Sequence, residues 1–476
     1  MNENVEKNEL TDELIEPVSH EKTAPETAEL LELISERKLS EFRQRVEDVP
    51  APDLARIIED APSDARPIFY RLLNKDAAAE VFVEMDSDVC EELISSFTDA
   101  ELAETLKELY IDDTVDLIEE MPALVVKRII RISTPENREA INRHLRYPKD
   151  SAGTLMTTEF VRLSRELTVR EALDEIRRVA IDKETVYTCY ITDSVGRLEG
   201  LVTARALLIS KPETLLSEIY EDRVIFATTT EDREDVARKF DKYGFIALPV
   251  VDAERRLVGI VTVDDAMEVI HEETEEDFAK MAAIIPTDKG YLRTGAFAIF
   301  KSRIPWLLLL MISATVSSSI LSVFERSLIP VLVLFVPMLM DTGGNSGSQS
   351  SVTAIRALSL GEITLSDVLR VLWKELRVGL LAGVTLAVVA FGKIMLIDRL
   401  LMSNPAVTVT VAIAVSVSLA ATIIAAKLVG GSLPLLAKRL GLDPAVMASP
   451  LITTLVDALG LILYFFISSK LFGLVV

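Results

Sequence analysis

The chain has 476 residues, 74 of them acidic and 50 basic, with a formal charge of −24 at pH 7. That excess excludes nucleic acid as a partner, because phosphates would be repelled, and the two cysteines, Cys90 and Cys189, lack any CxxC or zinc-ligand spacing, which argues against a thiolate metal site or a disulfide framework. The charge is also divided: residues 1–300 carry 66 acidic and 37 basic groups and the remainder 8 and 13, so an acidic soluble half is joined to an apolar one.

A compact domain carrying a net −29 repels itself. Divalent cations bound between acidic faces would relieve that repulsion. Residues 1–27 are acidic, contain Pro and Thr, and are expected to be disordered. They lack a basic n-region and an apolar h-region, so no cleaved signal peptide is expected and the soluble half is placed in the cytoplasm.

From 28 to 147 the text turns helical and repetitive. The segments "LARIIEDAPSD", "AAAEVFVEMDSD", "VCEELISSFTDA", "ELAETLKELYIDD" and "TVDLIEEMPA" recur at a period near 12, each a short amphipathic helix closed by Asp, Ser, Thr or Pro. One such helix cannot bury its apolar face alone, so the segments are expected to stack as a small α-solenoid.

A different unit follows, twice, over 148–209 and 210–270. The first copy opens "SAGTLMTTEFVRLSRELTVREALDEIRRV", where Thr168 and Glu171 predict a capping box, and continues with strand "VYTCYITD", turn "SVGR" and strand "LEGLVTA". The second reads "RVIFATTTEDREDVARKFDKYG", "FIALPVVD", "AERR" and "LVGIVTV". These paired β-α-β-β-α units, with "GLVTARA" and "GIVTVDD" in equivalent places, resemble tandem CBS domains, which usually sense a small ligand. Nucleotide-binding copies often carry an acid after that strand. Here the first has Ala206 and the second Asp264 and Asp265, which leaves ATP open at the second copy alone.

The connecting segment 271–300 is preceded and opened by "DDAMEVIHEETEEDFAKM", where Glu268, Glu272, Glu275 and Glu276 recur at helical spacing. A second acidic set, Asp112 and Asp116, lies one turn apart in the helical region, and a third, Asp232, Glu234, Asp252 and Asp265, belongs to the second CBS-like copy. Like charges on three adjoining parts repel, and a bridging dication would draw the parts together.

Five stretches of the apolar half, near 304–324, 329–350, 378–397, 405–428 and 448–469, are long enough to cross about 30 Å of hydrocarbon. With the soluble half inside, Lys301, Arg303, Arg356, Arg370, Lys374, Arg377, Lys427, Lys438 and Arg439 fall on the cytoplasmic side, leaving Arg326, Lys393, Arg399 and Lys470 outside, and the C-terminus is expected outside. In "VPMLMDTGGNSGSQSS", Pro337, Gly343, Gly344 and Gly347 are expected to break a helix whose polar groups include Asn345. In "DPAVMASPLITTLVDALG", Thr453, Thr454, Asp457 and Gly460 share one helical face. A lone carboxylate there costs about 2.5–3.5 kcal/mol to insert and marks a pathway or binding site. Oxygen ligands without His or Cys suit Mg²⁺ and disfavour zinc or copper.

Residues 28–476, read in this order, resemble the MgtE family of Mg²⁺ channels and transporters, on the strength of "YPKDSAGTLMTTEFV", "PMLMDTGGNSGSQS" and "DPAVMASPLITTLVDALG". The expected fold is multidomain: an α-helical superhelical N domain, α/β tandem CBS domains and a five-helix transmembrane domain over 301–476. The resemblance implies a homodimer in the plasma-membrane bilayer, with one pore on the two-fold axis lined by the second and fifth spans. Asp457 would hold hydrated Mg²⁺, with Gly343, Gly344, Asn345, Thr453, Thr454 and Gly460 lining the pore. It further implies that cytosolic Mg²⁺ closes the pore by binding at Glu80, Asp112, Asp116, Asp232, Glu234, Asp265, Glu273 and Glu276, with Asp252 and Glu268 in the same acidic sets.

Three other readings compete. A transporter of broader selectivity would carry Co²⁺, Mn²⁺ or Ni²⁺, and a non-conducting sensor of Mg²⁺ or nucleotide would signal to a partner. An intramembrane protease would use Asp341 and Asp457 as a dyad, but neither sits in a GxGD signature, so an enzyme is not expected.

Overall fold

In the computed structural model, residues 27–287, 291, 294–325, 329–447 and 449–473 are described. The expected disorder of residues 1–26 and the placement of Arg326 lie outside them. The chain divides into two units, 1–270 and 271–476.

The first unit opens with helices α1 (Thr27–Ser35), α2 (Leu39–Val46), α3 (Ala51–Asp60), α4 (Arg66–Leu72), α5 (Lys75–Val83), α6 (Ser87–Ser96), α7 (Asp99–Glu108), α8 (Ile111–Glu120), α9 (Ala123–Ile132) and α10 (Pro135–His144). From α5 onward each helix begins 12 residues after the last, so the period seen in the sequence holds to the residue. Local chemistry sets that length. Asn74, Thr98 and Thr134 each cap a helix by accepting the backbone N–H three residues on, and the helices end at extended residues such as Phe97, Leu109, Met121 and Ser133. Short extended breaks return each apolar stripe to a common core that includes Leu93, Leu102, Val115 and Ile129.

Two three-stranded sheets follow. The first is β1 (Arg162–Leu163), β2 (Thr188–Thr192) and β3 (Leu198–Thr203); the second is β4 (Ala227–Thr228), β5 (Ala247–Val251) and β6 (Leu257–Thr262). In each, the first pairing is parallel and the second antiparallel, and a bulge falls in the same place, so the duplication extends to backbone detail. The sheets join at their turns, where Leu198 N–H donates to Arg255 O at 3.0 Å and Leu257 N–H to Gly196 O at 2.9 Å.

The segment around 148–157, expected in the first copy, packs with the second: Ala152 and Met156, in and beside helix α11 (Ala152–Leu155), share a core with Ala227, Val236 and Leu248. Thr157 and Ile260 exchange backbone hydrogen bonds of 2.8 and 2.9 Å. Helices α12 (Val169–Val179), α13 (Ala204–Ile209) and α14 (Arg233–Tyr243) complete the pair, and the capping box at Thr168 and Glu171 is present. Helix α15 (Val263–Met281) begins directly after β6, so the acidic rod starts inside the second copy rather than at 271.

The second unit contains α16 (Ala296–Glu325), α17 (Pro330–Val333), α18 (Val336–Ser359), α19 (Val368–Lys393, continued by a π-helical stretch Ile394–Leu401), α20 (Val409–Arg439) and α21 (Ser449–Phe472). Among the described residues, four helical stretches are long and apolar enough to cross a membrane: Ala296–Val323, Leu365–Leu401, Val409–Arg439 and Pro444–Phe472. The span expected near 329–350 is not among them. Its place is taken by α17 and α18, and α18, at 24 residues, is about 36 Å long but rich in Gly and Ser and interrupted by Asp341 and Asn345.

The expected glycine break is also corrected. Helix α18 runs unbroken from Val336 to Ser359, with Pro337 in its first turn, where no intrahelical N–H is needed. The glycines are contact surfaces. A Cβ on Gly343 would lie 2.8 Å from Thr422 Cγ2 of α20, one on Gly344 2.8 Å from Thr453 Cγ2 of α21, and one on Gly347 2.9 Å from Ile452 Cγ2 of α21. On α20, a Cβ on Gly430 would run into the carbonyl oxygen of Gly347. Small residues let helices approach in this way, as membrane bundles require. Gly430→Ala is therefore expected to destabilise the purified protein by about 1–3 kcal/mol, read as a lower melting temperature. Gly392→Ala, with nothing within 4 Å of the new methyl, should not lower it.

Candidate functional site

In the second unit the site is built on α18 and α21. Asp457 lies on α21, partly buried, and its Oδ1 is buried without a hydrogen-bond partner. A buried carboxylate oxygen is costly unless it is paired, which makes this position a candidate for a cation or its hydration shell. Asp341 of α18 lies within electrostatic reach of it and holds Asn345 Nδ2 at 3.3 Å. Along α18, Asp341, Asn345, Gln349 and Thr353 are all exposed at four-residue spacing, while Gly343, Gly344, Ser346, Gly347, Ser350 and Ser351 are buried. Lipid cannot solvate such a polar stripe; water or a second copy can.

The other expected pore residues divide. Ser348 and Thr453 place their hydroxyls 3.4 Å apart between α18 and α21. The Thr454 hydroxyl donates to Pro450 O at 3.1 Å, so its proton is used within its own helix. Gly343, Gly344 and Gly460 are buried packing positions; a Cβ on Gly460 would meet Thr422 Cγ2 at 2.9 Å. The face shared by Thr453, Asp457 and Gly460 thus meets two different neighbours, α18 and α20.

The first unit holds an acidic cluster. Helix α8, which packs on α10 and α11, supplies Asp112, Asp113 and Asp116; α15 supplies Asp264, Asp265 and Glu268; the segment before β2 supplies Glu184. Asp112 is 8% exposed, and Oδ1 of Asp112 and Oε2 of Glu184 are buried without a hydrogen-bond partner. Burial, followed by the charges of Asp113 and Asp265, pushes the Asp112 carboxyl well above its ordinary range. Burial and then Asp265 raise Asp113 to about 6, and burial and then Asp264 and Asp265 raise Glu184 to about 7. Asp116 is displaced in the same direction by burial, Asp265 and Glu268, but it keeps an edge open to solvent, whose screening tempers the effect. Asp265 is raised by burial against the 2.5 Å hydrogen bond it accepts from the Thr262 hydroxyl. Among the described residues, no three of His, Cys, Asp or Glu stand close enough to form a ready-made metal site. The cluster is a set of mutually repelling carboxyls that water or a hydrated ion could bridge.

The sign of its pH dependence follows. A carboxyl raised in the folded state binds protons that the unfolded chain has already released, so its contribution is complete below about pH 4 and is lost as pH rises through the folded values. For Asp113 and Glu184 those values are about 6 and about 7. In EDTA, the melting temperature of the soluble half is expected to fall between pH 5 and 8, with most of the change around 6–7. A flat profile would contradict this.

The other expected ligands make contacts of their own. Asp252 sits in the β5–β6 turn, bound to Arg256 at 2.7 Å and accepting the N–H groups of Glu254 and Arg256, so it is a turn residue rather than part of an acidic face. Asp232 caps α14 by accepting Glu234 N–H, Glu234 lies 3.7 Å from Arg238, and Glu80 is exposed on α5. In the second unit, Lys280 bridges Glu276 and Asp443 at 2.6 Å each, and the Ser359 hydroxyl donates to Asp277 at 3.1 Å, while Glu273 is partly buried on the same helix. Sequence reasoning missed Asp113 and Glu184. Asp113 was visible beside Asp112, but Glu184 is brought in only by the fold.

Three family descriptions match the chain: the MgtE intracellular N domain over 49–150, the CBS domain over 152–211 and 216–272, and the MgtE divalent cation transporter over 336–467. Magnesium transporter MgtE of Thermus thermophilus is 37% identical over 441 residues, covering 91% of this chain and 96% of that protein. The chain belongs to the MgtE family. Its membership, with the four apolar spans, makes it a multi-pass membrane protein. Within the family, magnesium transporter MgtE of Bacillus subtilis is 30% identical, covering 92% of this chain and 95% of that one. A crystal structure of the cytosolic domain of the Mg²⁺ channel MgtE in complex with ATP is 36% identical, covers 51% of this chain and 99% of that one, and superposes with a TM-score of 0.49.

Proposed function

We propose that the chain carries Mg²⁺ into the cell down the membrane potential, as a homodimer whose path runs between the polar faces of α18 and α21, and that cytosolic Mg²⁺ closes it. The observation that carries this reading is the pairing of Asp457, with its unpartnered buried oxygen, and the exposed stripe Asp341–Asn345–Gln349–Thr353. One carboxylate is a poor site for a dication, whereas two related by symmetry supply −2. Because Mg²⁺ sheds water reluctantly, the pair would hold a hydrated ion through its waters. In this reading α17 and α18 together make the fifth crossing, the N-terminus is cytoplasmic and the C-terminus extracytoplasmic.

The cytosolic latch is the acidic cluster of α8 and α15, with Glu80, Asp232, Glu234, Glu273 and Glu276 as outlying ligands. Bound Mg²⁺ relieves its repulsion and holds the parts together; loss of the ion loosens them. At the second CBS copy, Asp264 is exposed and Asp265 is turned to Thr262, so Asp264 is the acid placed for the ribose of ATP.

The test is Mg²⁺ entry into proteoliposomes under an inside-negative potential, with Co²⁺, Mn²⁺ and Ni²⁺ as competitors. Entry of Mg²⁺ ahead of all three is expected. Absent flux from folded dimers, or a monomeric protein, overturns the reading; equal entry of the other ions replaces it with a broader divalent transporter.

A further inference from the structure

Beside α18 the second unit buries Lys427 and half-buries the opposite charge of Glu375, at places where the sequence supplies glycines to admit them. Lys427 of α20 is 6% exposed, and its stem passes the backbone of α19 at Gly379, where a Cβ would lie 3.5 Å from Lys427 Cβ and 3.2 Å from Ile424 Cα. Glu375 of α19 passes the backbone of α20 at Gly431, where a Cβ would lie 2.7 Å from Glu375 Cγ. Each helix thus gives up a side chain so that the other can send a charge past it. Both charges end on consecutive residues of α18: Lys427 Nζ donates to Gln349 Oε1 at 3.3 Å, and the Ser350 hydroxyl donates to Glu375 Oε2 at 2.6 Å. An arrangement that only neutralised charge would pair Lys427 directly with Glu375. Here the two instead straddle one step of a third helix.

The consequence lies on the open side of that helix. An ammonium group can only donate, so the amide oxygen of Gln349 is the atom engaged by Lys427, and the amide N–H donors are what this exposed residue has left to offer. We propose that Lys427 and Glu375 are positioning residues that clamp the Gln349–Ser350 step of α18 and hold the Gln349 amide with N–H donors, not its oxygen, toward the cation path. This rests on the reading of that stripe as the path. An ion that must exchange water for protein oxygens is then denied the oxygen of this amide. Mg²⁺ keeps its water and does not need them, whereas K⁺, which dehydrates readily, loses a stepping stone. The brace therefore acts on selectivity.

The test uses the reconstituted full-length protein with reversal potentials measured in K⁺ and Mg²⁺ gradients. Lys427→Met frees the amide to turn its oxygen outward and is expected to raise the K⁺-to-Mg²⁺ permeability ratio about tenfold, with Lys427→Arg, which keeps a buried donor, restoring it to within about twofold. Gln349→Leu, at an exposed position, removes the amide that Lys427 Nζ holds. The double variant Lys427→Met/Gln349→Leu should then match Gln349→Leu alone. A wild-type ratio in Lys427→Met, whatever its melting temperature, overturns the proposal. If Lys427→Met fails to fold, Lys427→Arg with and without Gln349→Leu decides: a ratio that Gln349→Leu leaves unchanged overturns it equally. Should Asp457→Ala pass Mg²⁺ at the wild-type rate, the path itself is misplaced; should it block Mg²⁺ while Lys427→Met keeps the wild-type ratio, only the brace is wrong.

Discussion

Alanine at position 457 is expected to lower Mg²⁺ entry into proteoliposomes by about 100-fold or more, with the dimer and its melting temperature preserved. At an effective dielectric of about 20, a unit charge about 5 Å from a dication contributes roughly 6 kcal/mol, and even half of that, after screening by the ion's own water, exceeds the roughly 2.7 kcal/mol a 100-fold loss requires. The fold is not expected to suffer, because Asp457 Oδ1 has no hydrogen bond to lose. Removing a partly buried negative charge should cost the fold little. Asp457→Asn separates charge from size: it keeps the shape and its loss should approach that of alanine, whereas Asp457→Glu should retain partial flux. Asparagine passing more than half of the wild-type flux would mean that shape, not charge, holds the ion.

Much of this arrangement can be read from the chain before folding, and the reasons for the exceptions are physical. The period of 12 was readable because each repeat carries its own stop signals, and the duplicated sheets because strand alternation and turn chemistry are local. Asp457 stood out because an ionisable residue in an apolar run has no cheap explanation. The glycines of α18 were misread because Gly weakens an isolated helix and yet favours one against which another helix packs closely, and only the neighbour decides which effect wins. Gly347 and Gly430 lie 83 residues apart, so no window of sequence contains both. The swap of the segment near 152–156 into the second core and the arrival of Glu184 beside α8 are non-local in the same sense. The pairing of Asp252 was also legible, since Arg256 stands four residues on in a turn that invites it.

Relieving the acidic cluster should do without Mg²⁺ what Mg²⁺ is proposed to do. Asp113→Asn is expected to raise the melting temperature of the soluble half in EDTA by about 4 °C or more and to cut the further rise on adding millimolar Mg²⁺ to less than half. The balance can be argued from magnitudes. Asp113 lies in the first turn of α8, where a negative charge gains about 0.3–1 kcal/mol from the helix dipole, and the substitution forfeits that. Against it, a carboxyl whose protonation is displaced to about 6 carries, when ionised, a penalty of roughly 2–3 kcal/mol relative to its ordinary state, and asparagine removes it. That relief outweighs the lost dipole interaction, so the net effect is stabilising. Because Asp265 is the leading charge acting on both Asp113 and Asp116, Asp265→Asn should act in the same direction, reduced by the loss of its bond to Thr262. In flux assays both variants should stay closed at Mg²⁺ concentrations where the wild type opens, since neither needs an ion to hold α8 and α15 together. An unchanged melting temperature in EDTA, with the full response to Mg²⁺ retained, would separate the cluster from gating and leave its acids as a solvated surface.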